Sequence, residues 1–239
     1  MVTGDTGRGD KESADYTGDV SPGGEPDVRV LGDFSVTKVA VDPEMSNNCY
    51  LLLCSVTDEV VLIDAAAEPE RLLELIGDRS LTSIVTTHQH WDHHRALAAV
   101  KAAHPSALVV AGAPDADDIE EQTGVRVDRR VGAGDKVAVG PCDLVVVPVA
   151  GHTPGSICLL LDDPAVAPSP HLFTGDSLFP GGVGATFGDA EAFAQLISEV
   201  ETKIFDRLPD DTWFYPGHGG DGRLGDERPH LAEWRERGW

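Results

Sequence analysis

Positive charge is scarce in this sequence. The 239 residues contain 18 Lys and Arg against 41 Asp and Glu, so the formal net charge is −23. A surface with such an excess of negative charge repels nucleic-acid phosphates and anionic membrane surfaces. We therefore expect neither a nucleic acid nor a membrane among the partners of this chain.

Cysteines and long apolar runs are also few. None of the four cysteines has C-x-x-C spacing, and each lies in or beside an apolar run. This placement favours buried free thiols in a reducing cytoplasm over disulfides. No apolar run approaches the roughly 20 residues that a membrane helix needs, and the first residues carry no signal-peptide pattern. We expect a soluble, cytoplasmic protein.

Large apolar residues are nearly absent from the first 27 residues. Met1–Asp27 is instead rich in Gly, Asp, Ser and Thr, and such a segment buries too little apolar surface to offset the entropy of ordering it. We predict a disordered acidic tail over residues 1–27, whose removal leaves activity intact. Residues 28–239 have the length and apolar content of one catalytic domain.

Short strands and helices alternate through the rest of the chain. A β-branched run such as Glu59–Ile63 predicts a strand, and apolar residues spaced by three and four predict helices at Glu68–Ile76, Asp92–Ala103 and Ala190–Phe205. The pattern forms two β-rich halves, each followed by helices. It predicts an α/β (α+β) fold in which two sheets pack face to face with helices outside.

The strongest chemical signal is the run T-H-Q-H-W-D-H at Thr87–His93, which follows a predicted strand and leads into a predicted helix. In an extended turn, His88 and His90 are two residues apart and project to the same side, so both imidazoles can reach one ion. Asp92 and His93 are adjacent where the backbone changes direction, and they can face a second ion. The spacing predicts a pair of metals.

Three later segments share one architecture, a strand that ends in a tight glycine-containing turn with one ligand-type residue. The ligand-type residues are His152 in G-H-T-P-G, Asp176 in T-G-D-S and His218 in P-G-H-G. A ligand just beyond the end of each strand brings distant parts of the chain to one edge of the sheets. We therefore expect all the predicted ligands to meet there.

The predicted ligand set divides into two groups and a bridge. Three histidines and an open fourth position are the arrangement expected of catalytic zinc. Imidazole and carboxylate ligands suit Zn²⁺, Fe²⁺ or Mn²⁺, so we expect two divalent metal ions, with Zn²⁺ as the first choice. The assignment is His88, His90 and His152 to the first ion, Asp92, His93 and His218 to the second, and Asp176 to both.

The other four histidines are not expected to be ligands. They are His94, His104, His171 and His230. His94 follows the motif directly, but one further residue along a helix rotates its side chain by about 100° away from His93.

These motifs resemble those of the metallo-β-lactamase superfamily, and the run T-G-D-S-L-F-P-G-G-V-G at Thr174–Gly184 is similar to its glyoxalase II branch. The resemblance covers the chain from about residue 28 to the end. It implies an αββα sandwich of two mixed β-sheets with helices on the outer faces, and it agrees with the ligand roles given above. It also implies that Asp64, in L-I-D after a strand, orients the first motif through hydrogen bonds.

Three features depart from the glyoxalase II pattern. Asp92 and His93 are followed by His94–Ala96 instead of a pair of small residues. Ala185 stands where glutathione-handling members commonly have Arg or Lys. The chain also ends soon after His218, where full-length glyoxalase II enzymes continue into a helical domain that helps to bind glutathione. These departures argue against glutathione as the thiol.

We predict hydrolysis of an ester-like carbonyl in a small-molecule substrate, either a thioester or a lactone. A metal-bridging hydroxide would attack the carbonyl carbon, and Asp92 would orient the hydroxide and shuttle its proton. Trp91, Phe179 and Phe187 are candidates for an apolar pocket wall, with ordinary core packing as the other interpretation.

The main alternative is a mononuclear iron dioxygenase that acts on thiol persulfides, a related branch that uses only His88, His152 and Asp176 as protein ligands. Metal stoichiometry and oxygen uptake separate the two functions. A β-lactamase is disfavoured because the Asp92–His93 pair fits the hydroxyacyl hydrolases better. A nucleic-acid-processing enzyme is disfavoured by the charge, and an inactive scaffold by the complete ligand set. The native metal and the oligomeric state stay open.

Overall fold

The structure is a computed structural model that describes residues 16–238. The first 15 residues, which belong to the predicted tail, lie outside the described residues. The first β-sheet contains seven described strands in chain order, antiparallel from the first to the fourth and parallel from the fourth to the seventh. They are β1 (Asp27–Leu31), β2 (Phe34–Val41), β3 (Asn47–Cys54), β4 (Glu59–Ile63), β5 (Ser80–Thr86), β6 (Leu108–Gly112) and β7 (Arg129–Val131).

The second sheet contains six of the described strands, and a small separate hairpin lies beside it. The sheet strands are β8 (Lys136–Val139), β9 (Cys142–Pro148), β10 (Ile157–Leu161), β11 (His171–Gly175), β14 (Trp213–Pro216) and β15 (Gly222–Arg223), and the hairpin strands are β12 (Leu178–Phe179) and β13 (Gly182–Val183). The sheet order is β15-β14-β11-β10-β9-β8, in which only β11 and β14 pair in parallel. Both sheets are therefore mixed.

Helices cover the outer face of each sheet. They are α1 (Pro69–Ile76), α2 (Leu97–Ala103), α3 (Ala116–Thr123), α4 (Ala190–Val200), α5 (Leu224–Glu227) and α6 (Leu231–Arg237). The first three pack on the first sheet, and α4 and α6 pack on the second. Among residues 16–238, no helix combines the length and the apolar character that crossing a membrane requires.

The apolar core lies in three layers because the strands alternate their side chains with a period of two. In β4, Ile63 faces the space between the sheets and Leu62 faces α1 and α2. In β11, Phe173 faces the other sheet and Leu172 faces the outer helices. This arrangement confirms the predicted αββα sandwich. The four cysteines are buried free thiols, also as predicted.

One predicted helix begins later than the sequence indicates. In place of a helix over Asp92–Ala103, a 3₁₀ turn spans Trp91–His93 and α2 begins at Leu97. The backbone between them is held from outside, because the Ala96 N–H donates to the Ala65 carbonyl at 2.9 Å. This tertiary hydrogen bond lies outside the reach of a local pattern. The helix predicted over Ala190–Phe205 is α4 followed by a π-helical turn at Glu201–Phe205.

Residues 16–26, which we call the N-terminal strap, depart from the predicted disorder. The Tyr16 ring packs against the core between the sheets, under the Arg29 guanidinium at 4.4 Å. The Gly18 carbonyl accepts a hydrogen bond from Lys38 Nζ at 2.8 Å, and the Gly24 carbonyl accepts one from Arg71. One aromatic side chain and these backbone carbonyls fix a segment whose average composition predicts disorder.

Candidate metal centre

The first ligand group lies just beyond the carboxyl end of β5. His88 Nε2 is 3.1 Å from His90 Nδ1 and 3.2 Å from His152 Nε2. His90 belongs to the same turn as His88, whereas His152 comes from the turn that follows β9. The ligand atoms of all three lie within 4.8 Å of one another, so the group could hold a metal ion.

The second ligand group lies beside the first. Asp92 Oδ2 is 3.4 Å from His218 Nε2 and 3.6 Å from His93 Nε2. Asp92 and His93 sit in the 3₁₀ turn, and His218 follows β14. The ligand atoms of this group also lie within 4.8 Å of one another. The structure thus separates the T-H-Q-H-W-D-H run into two halves with different partners.

Asp176 lies between the two groups. Its Oδ2 atom is 3.7 Å from His152 Nε2 in the first group and 3.6 Å from His218 Nε2 in the second. Its Oδ1 atom is 3.4 Å from His93 Nε2. There is no room for a side chain beside it, because a Cβ atom at Gly217 would lie 2.3 Å from Asp176 Oδ1. This carboxylate therefore faces both groups, as the sequence predicts for a bridging ligand.

The residues present fit a divalent metal ion. His93 Nε2 and Asp176 Oδ1 are buried, and neither atom has a hydrogen-bond partner among the described residues. A buried polar atom without a partner is destabilising. An ion between the two atoms would satisfy both, and imidazole nitrogen and carboxylate oxygen are ligands that zinc and iron accept.

Three of the imidazoles are oriented by hydrogen bonds on the far side of the ring. His152 Nδ1 donates to the Ala185 carbonyl at 2.7 Å, and His218 Nδ1 donates to the Met45 carbonyl at 2.9 Å. Because a carbonyl only accepts, Nδ1 carries the proton and Nε2 presents its lone pair to the centre. His93 Nδ1 makes the equivalent contact with Asp64 Oδ2 at 2.8 Å.

Asp64 holds the first motif in the way that the resemblance implies. Its carboxylate accepts hydrogen bonds from the Thr87 N–H at 2.8 Å and the Thr87 hydroxyl at 2.9 Å, and it also contacts His93. The residue has a φ of +58°, in the left-handed region that a side chain disfavours. Its contacts with the loop offset this strain, which is typical of functional sites.

Asp115 is a site residue that the sequence interpretation missed. It is fully buried at the start of α3, and its carboxylate accepts hydrogen bonds from the Gln89 N–H at 2.9 Å, the Thr153 hydroxyl at 2.6 Å and the Gly155 N–H at 2.6 Å. It therefore joins the turn of His88 and His90 to the turn of His152. The available signal was its position shortly after a buried strand, since it lies three residues after the end of β6, whereas Asp64 directly follows β4.

Two asparagines at the start of β3 were also missed. Asn47 Nδ2 donates to Asp92 Oδ2 at 3.0 Å and lies 3.3 Å from His218 Nε2. Asn48 Nδ2 donates to the carbonyls of Pro216 and Gly219, at 2.9 Å each. These amides fix the turn that carries His218. The sequence gives little indication of this role, because a pair of polar residues such as these is also common in ordinary loops.

The electrostatic environment suits ligation in the first group. Burial lowers the pKa of His90 to about 4, with a further contribution from the neighbouring His152. Burial also holds the pKa of His88 well below its ordinary value, assisted by the imidazoles around it. Both rings are therefore neutral at physiological pH, the form that binds a metal.

In the second group, burial and the neighbouring charged residues shift the pKa values in opposite directions. Burial acts to raise the pKa of Asp92, but the neighbouring imidazoles of His218 and His93 lower it below its ordinary value. Burial acts to lower the pKa of His93, but the carboxylates of Asp176 and Asp64 raise it well above its ordinary value. The carboxylates thus attract positive charge to this position, and a metal cation would supply it.

His88, His93 and Asp176 form a further set whose ligand atoms lie within 4.8 Å of one another, and the remaining histidines belong neither to it nor to the two ligand groups. His94 Nε2 donates to the Gln89 carbonyl at 3.1 Å, and His171 Nδ1 lies 2.7 Å from the Tyr215 hydroxyl. His94 points away because the 3₁₀ turn ends at His93, and not because of the helical rotation assumed from the sequence.

A cavity of about 780 Å³ opens above the two groups. Trp91, Phe179 and Phe187 all line it, together with ligand residues of both groups. Phe187 is 79% exposed, and its ring centroid is 5.8 Å from that of His90 and 6.2 Å from that of His152. The structure therefore supports the pocket-wall interpretation of these aromatic residues over core packing.

The comparisons with known proteins agree with the geometry. The model of the metallo-beta-lactamase superfamily matches residues 42–218. A hydroxyacylglutathione hydrolase-like protein of Homo sapiens is 33% identical over 185 residues, which are 76% of this chain and 59% of the human protein. The chain therefore spans less than two thirds of the length of that relative.

Two solved structures share the fold. The crystal structure of ETHE1 from Myxococcus xanthus superposes with a TM-score of 0.71 and 30% identity, and covers 84% of each chain. The crystal structure of TTHA1623 in a di-iron-bound form superposes with a TM-score of 0.64 and 28% identity, covering 80% of this chain and 96% of that one.

Proposed function

The chain belongs to the metallo-beta-lactamase superfamily, in its glyoxalase II-like branch, and we propose that it is a metal-dependent hydrolase that cleaves a small-molecule thioester or lactone. The observation that carries the proposal is the position of Asp176, whose carboxylate faces both ligand groups at the floor of the cavity. A carboxylate that faces both groups supports a pair of ions.

The proposed metal ligands are the seven residues found from the sequence. Two divalent ions, with zinc as the first choice, would lower the pKa of a water toward neutrality and polarise the substrate carbonyl. The di-iron form of the related structure supports a pair of ions. The buried free thiols support a reducing compartment such as the cytoplasm. The ligands are His88, His90 and His152, then Asp92, His93 and His218, with Asp176 facing both groups.

Asp92 is the proposed catalytic residue. It lines the cavity, and its low pKa keeps the carboxylate ionised at neutral pH. Asn47 fixes its Oδ2 atom through a hydrogen bond of 3.0 Å. Asp92 would therefore orient the attacking water, take its proton and return it to the departing thiolate or alkoxide, which balances the hydrolysis.

The cavity wall supports an apolar acyl group in the substrate. The apolar side chains in the lining include Met45, Trp91, Phe179, Val183 and Phe187. Such a wall binds a substrate mainly by removing apolar surface from water. The name of the human relative, a hydroxyacylglutathione hydrolase-like protein, supports a thioester. The neutral Ala185 in the same wall argues against glutathione as the thiol.

Elemental analysis of protein purified without added metal tests the proposal. We expect two metal ions per chain, rich in zinc, together with acid release from a panel of thioesters and lactones. Asp92→Asn should lower kcat by about 100-fold, since general acid–base catalysis contributes at least that much. One iron per chain, with oxygen uptake on glutathione persulfide and no hydrolysis, would overturn the proposal.

The second candidate is the mononuclear iron persulfide dioxygenase, which the likeness to ETHE1 from Myxococcus xanthus favours. Its three ligands, His88, His152 and Asp176, lie together here, but they leave His218 without a role. His218→Ala therefore separates the two functions. The hydrolase requires His218, whereas oxygen uptake by the dioxygenase would survive its loss.

A further inference from the structure

A fully buried lysine lies behind the turn that carries His218. Lys38 Nζ, on β2, donates to Asp221 Oδ1 at 2.7 Å, to the Gly219 carbonyl at 2.8 Å and to the Gly18 carbonyl at 2.8 Å. Its side chain has no exposed surface, and that of Asp221 is 1% exposed. All three protons of the ammonium group are therefore used inside the protein. A buried ion pair in which every ammonium N–H group has a hydrogen-bond acceptor holds its partners in a single geometry.

Two of the partners of Lys38 belong to the turn after His218. Gly219 directly follows the ligand, and Asp221 lies three residues after it. The Gly219 carbonyl also accepts from Asn48 at 2.9 Å, so two donors from neighbouring strands fix it. The backbone position of His218 therefore depends on a network that lies outside the cavity.

The N-terminal strap supplies the other side of this network. The Tyr16 hydroxyl donates to Asp221 Oδ2 at 2.6 Å, and the Gly18 carbonyl accepts the third hydrogen bond of Lys38. The strap itself is held by Asp27, whose Oδ2 atom accepts from the Thr17 and Gly18 N–H groups at 2.9 Å each. Asp221 and Lys38 would lose a partner each if the strap moved away.

Gly18 has no room for a side chain. Its φ is +69°, and a Cβ atom there would lie 2.3 Å from Asp221 Oδ2. That oxygen is held by Tyr16, and the other oxygen of the carboxylate is held by Lys38, so a shift of Asp221 breaks contacts on both sides. Gly23, in the same strap, has a φ of +75° but nothing within 4 Å of its Cβ position.

We propose that the N-terminal strap, through Lys38 and Asp221, positions His218 for the second ligand group. This inference rests on the proposed function, because it concerns the ion that Asp92, His93 and His218 would bind. The strap touches neither the cavity nor the first group, so it acts on one ion and not on the other. Contrary to the expectation from composition, removal of residues 1–27 is then not neutral.

Zinc titration of metal-free protein, with a chromophoric chelator as competitor, tests the inference. We expect Gly18→Ala to lower the affinity for one of the two ions by about 10-fold, which is the effect typical of residues that support a metal ligand from behind. Gly23→Ala is the matched control, since it adds the same methyl group at a similar φ in open space. It should leave both affinities unchanged.

A second pair of variants identifies which ion is affected. In a His218→Ala background, Gly18→Ala should cause no further loss of zinc affinity, because the ligand that it positions is already absent. Equal affinities in Gly18→Ala and Gly23→Ala would overturn the inference and leave the proposed function intact. A weakening of both ions by Gly18→Ala would also overturn it, since the effect would then be general. A wild-type chain that binds no zinc would instead overturn the proposed function.

Discussion

The two ligand groups differ in what holds them. The first group is joined from inside the fold, where the buried carboxylate of Asp115 links the His90 turn to the His152 turn through hydrogen bonds of 2.6 to 2.9 Å. The second group is held at the edge of the sheets, where Lys38 connects the turn after His218 to the N-terminal strap. The first network is centred on a carboxylate that accepts hydrogen bonds, and the second is centred on an ammonium group that donates them.

This difference teaches that one sequence motif does not imply one structural unit. His88, His90, Asp92 and His93 are almost contiguous, but each half depends on a different distant segment. Sites that share no partners respond to substitution independently, whereas sites in one network do not. The networks around Asp115 and Lys38 share no residue, so substitutions in them should separate the two ions. Asp64, which contacts both Thr87 and His93, and Asp176, which faces both groups, should affect both ions.

The largest effect is expected at Asp176. Because this residue faces both ligand groups, its substitution should affect both ions and remove the difference between the groups. Asp176→Asn keeps the shape of the side chain but removes the negative charge that faces both groups. We expect both ions to bind more weakly and kcat/KM to fall by more than about 100-fold, because the loss of a ligand exceeds the loss of a residue behind one. Zinc titration and thioester hydrolysis measure the two effects. Retention of one ion at wild-type affinity would show that Asp176 serves only one group.

An intermediate effect is expected at Asp115. Because this residue supports the first group alone, its substitution should separate the first ion from the second. In Asp115→Asn, an amide NH₂ would face the Gly155 N–H or the Gln89 N–H, so at least one hydrogen bond of the link is lost. We expect the affinity of the first ion alone to fall by about 10-fold. Asp117→Asn, on the exposed side of the same helix, is the control. If the second ion weakened equally, the two networks would not be independent.

The smallest effect is expected at Phe187, which overhangs the first group without binding either ion. Its φ of +54° is unfavourable for a bulky side chain, and asparagine tolerates this region better. Phe187→Asn should therefore raise the free energy of unfolding by about 1 kcal/mol, the lower end of the cost of the left-handed conformation for an L-residue. It should also raise KM for thioesters with an apolar acyl group. Thermal denaturation and steady-state kinetics measure the two changes, and a fall in stability would contradict the strain argument.

The candidate ligands could be picked out from the sequence because each one lies in a local pattern. Every predicted ligand falls in a glycine-containing turn or in the T-H-Q-H-W-D-H run, and each of these segments follows a strand that is visible from its β-branched or aromatic residues. The two-sheet fold was predictable for the same reason, since strands such as β4 are visible as short apolar runs. Local signals of this kind need no knowledge of which segments meet.

The supporting residues were not predictable, because their role depends on contacts between distant segments. The Gly219 carbonyl is 181 positions from Lys38, and no periodicity indicates that they meet. Strand β1 was missed because its alternation is inverted. Arg29 points inward, with its guanidinium 3.8 Å from the Trp213 ring centroid, while Val28 and Val30 are exposed. A pattern that assigns charged residues to the outside fails at such a strand.

The buried cysteines have a practical consequence for enzymology. Burial raises the pKa of Cys49 to about 12 and that of Cys158 to about 12, and all four thiols are buried in the folded protein. Because the thiolate is the reactive form, a thiol-specific dye should not label the native enzyme at neutral pH. The dye would report only the thiol released from a thioester, without background from the catalyst. In the absence of substrate, the rate at which the same dye labels the cysteines would measure the rate at which the fold opens.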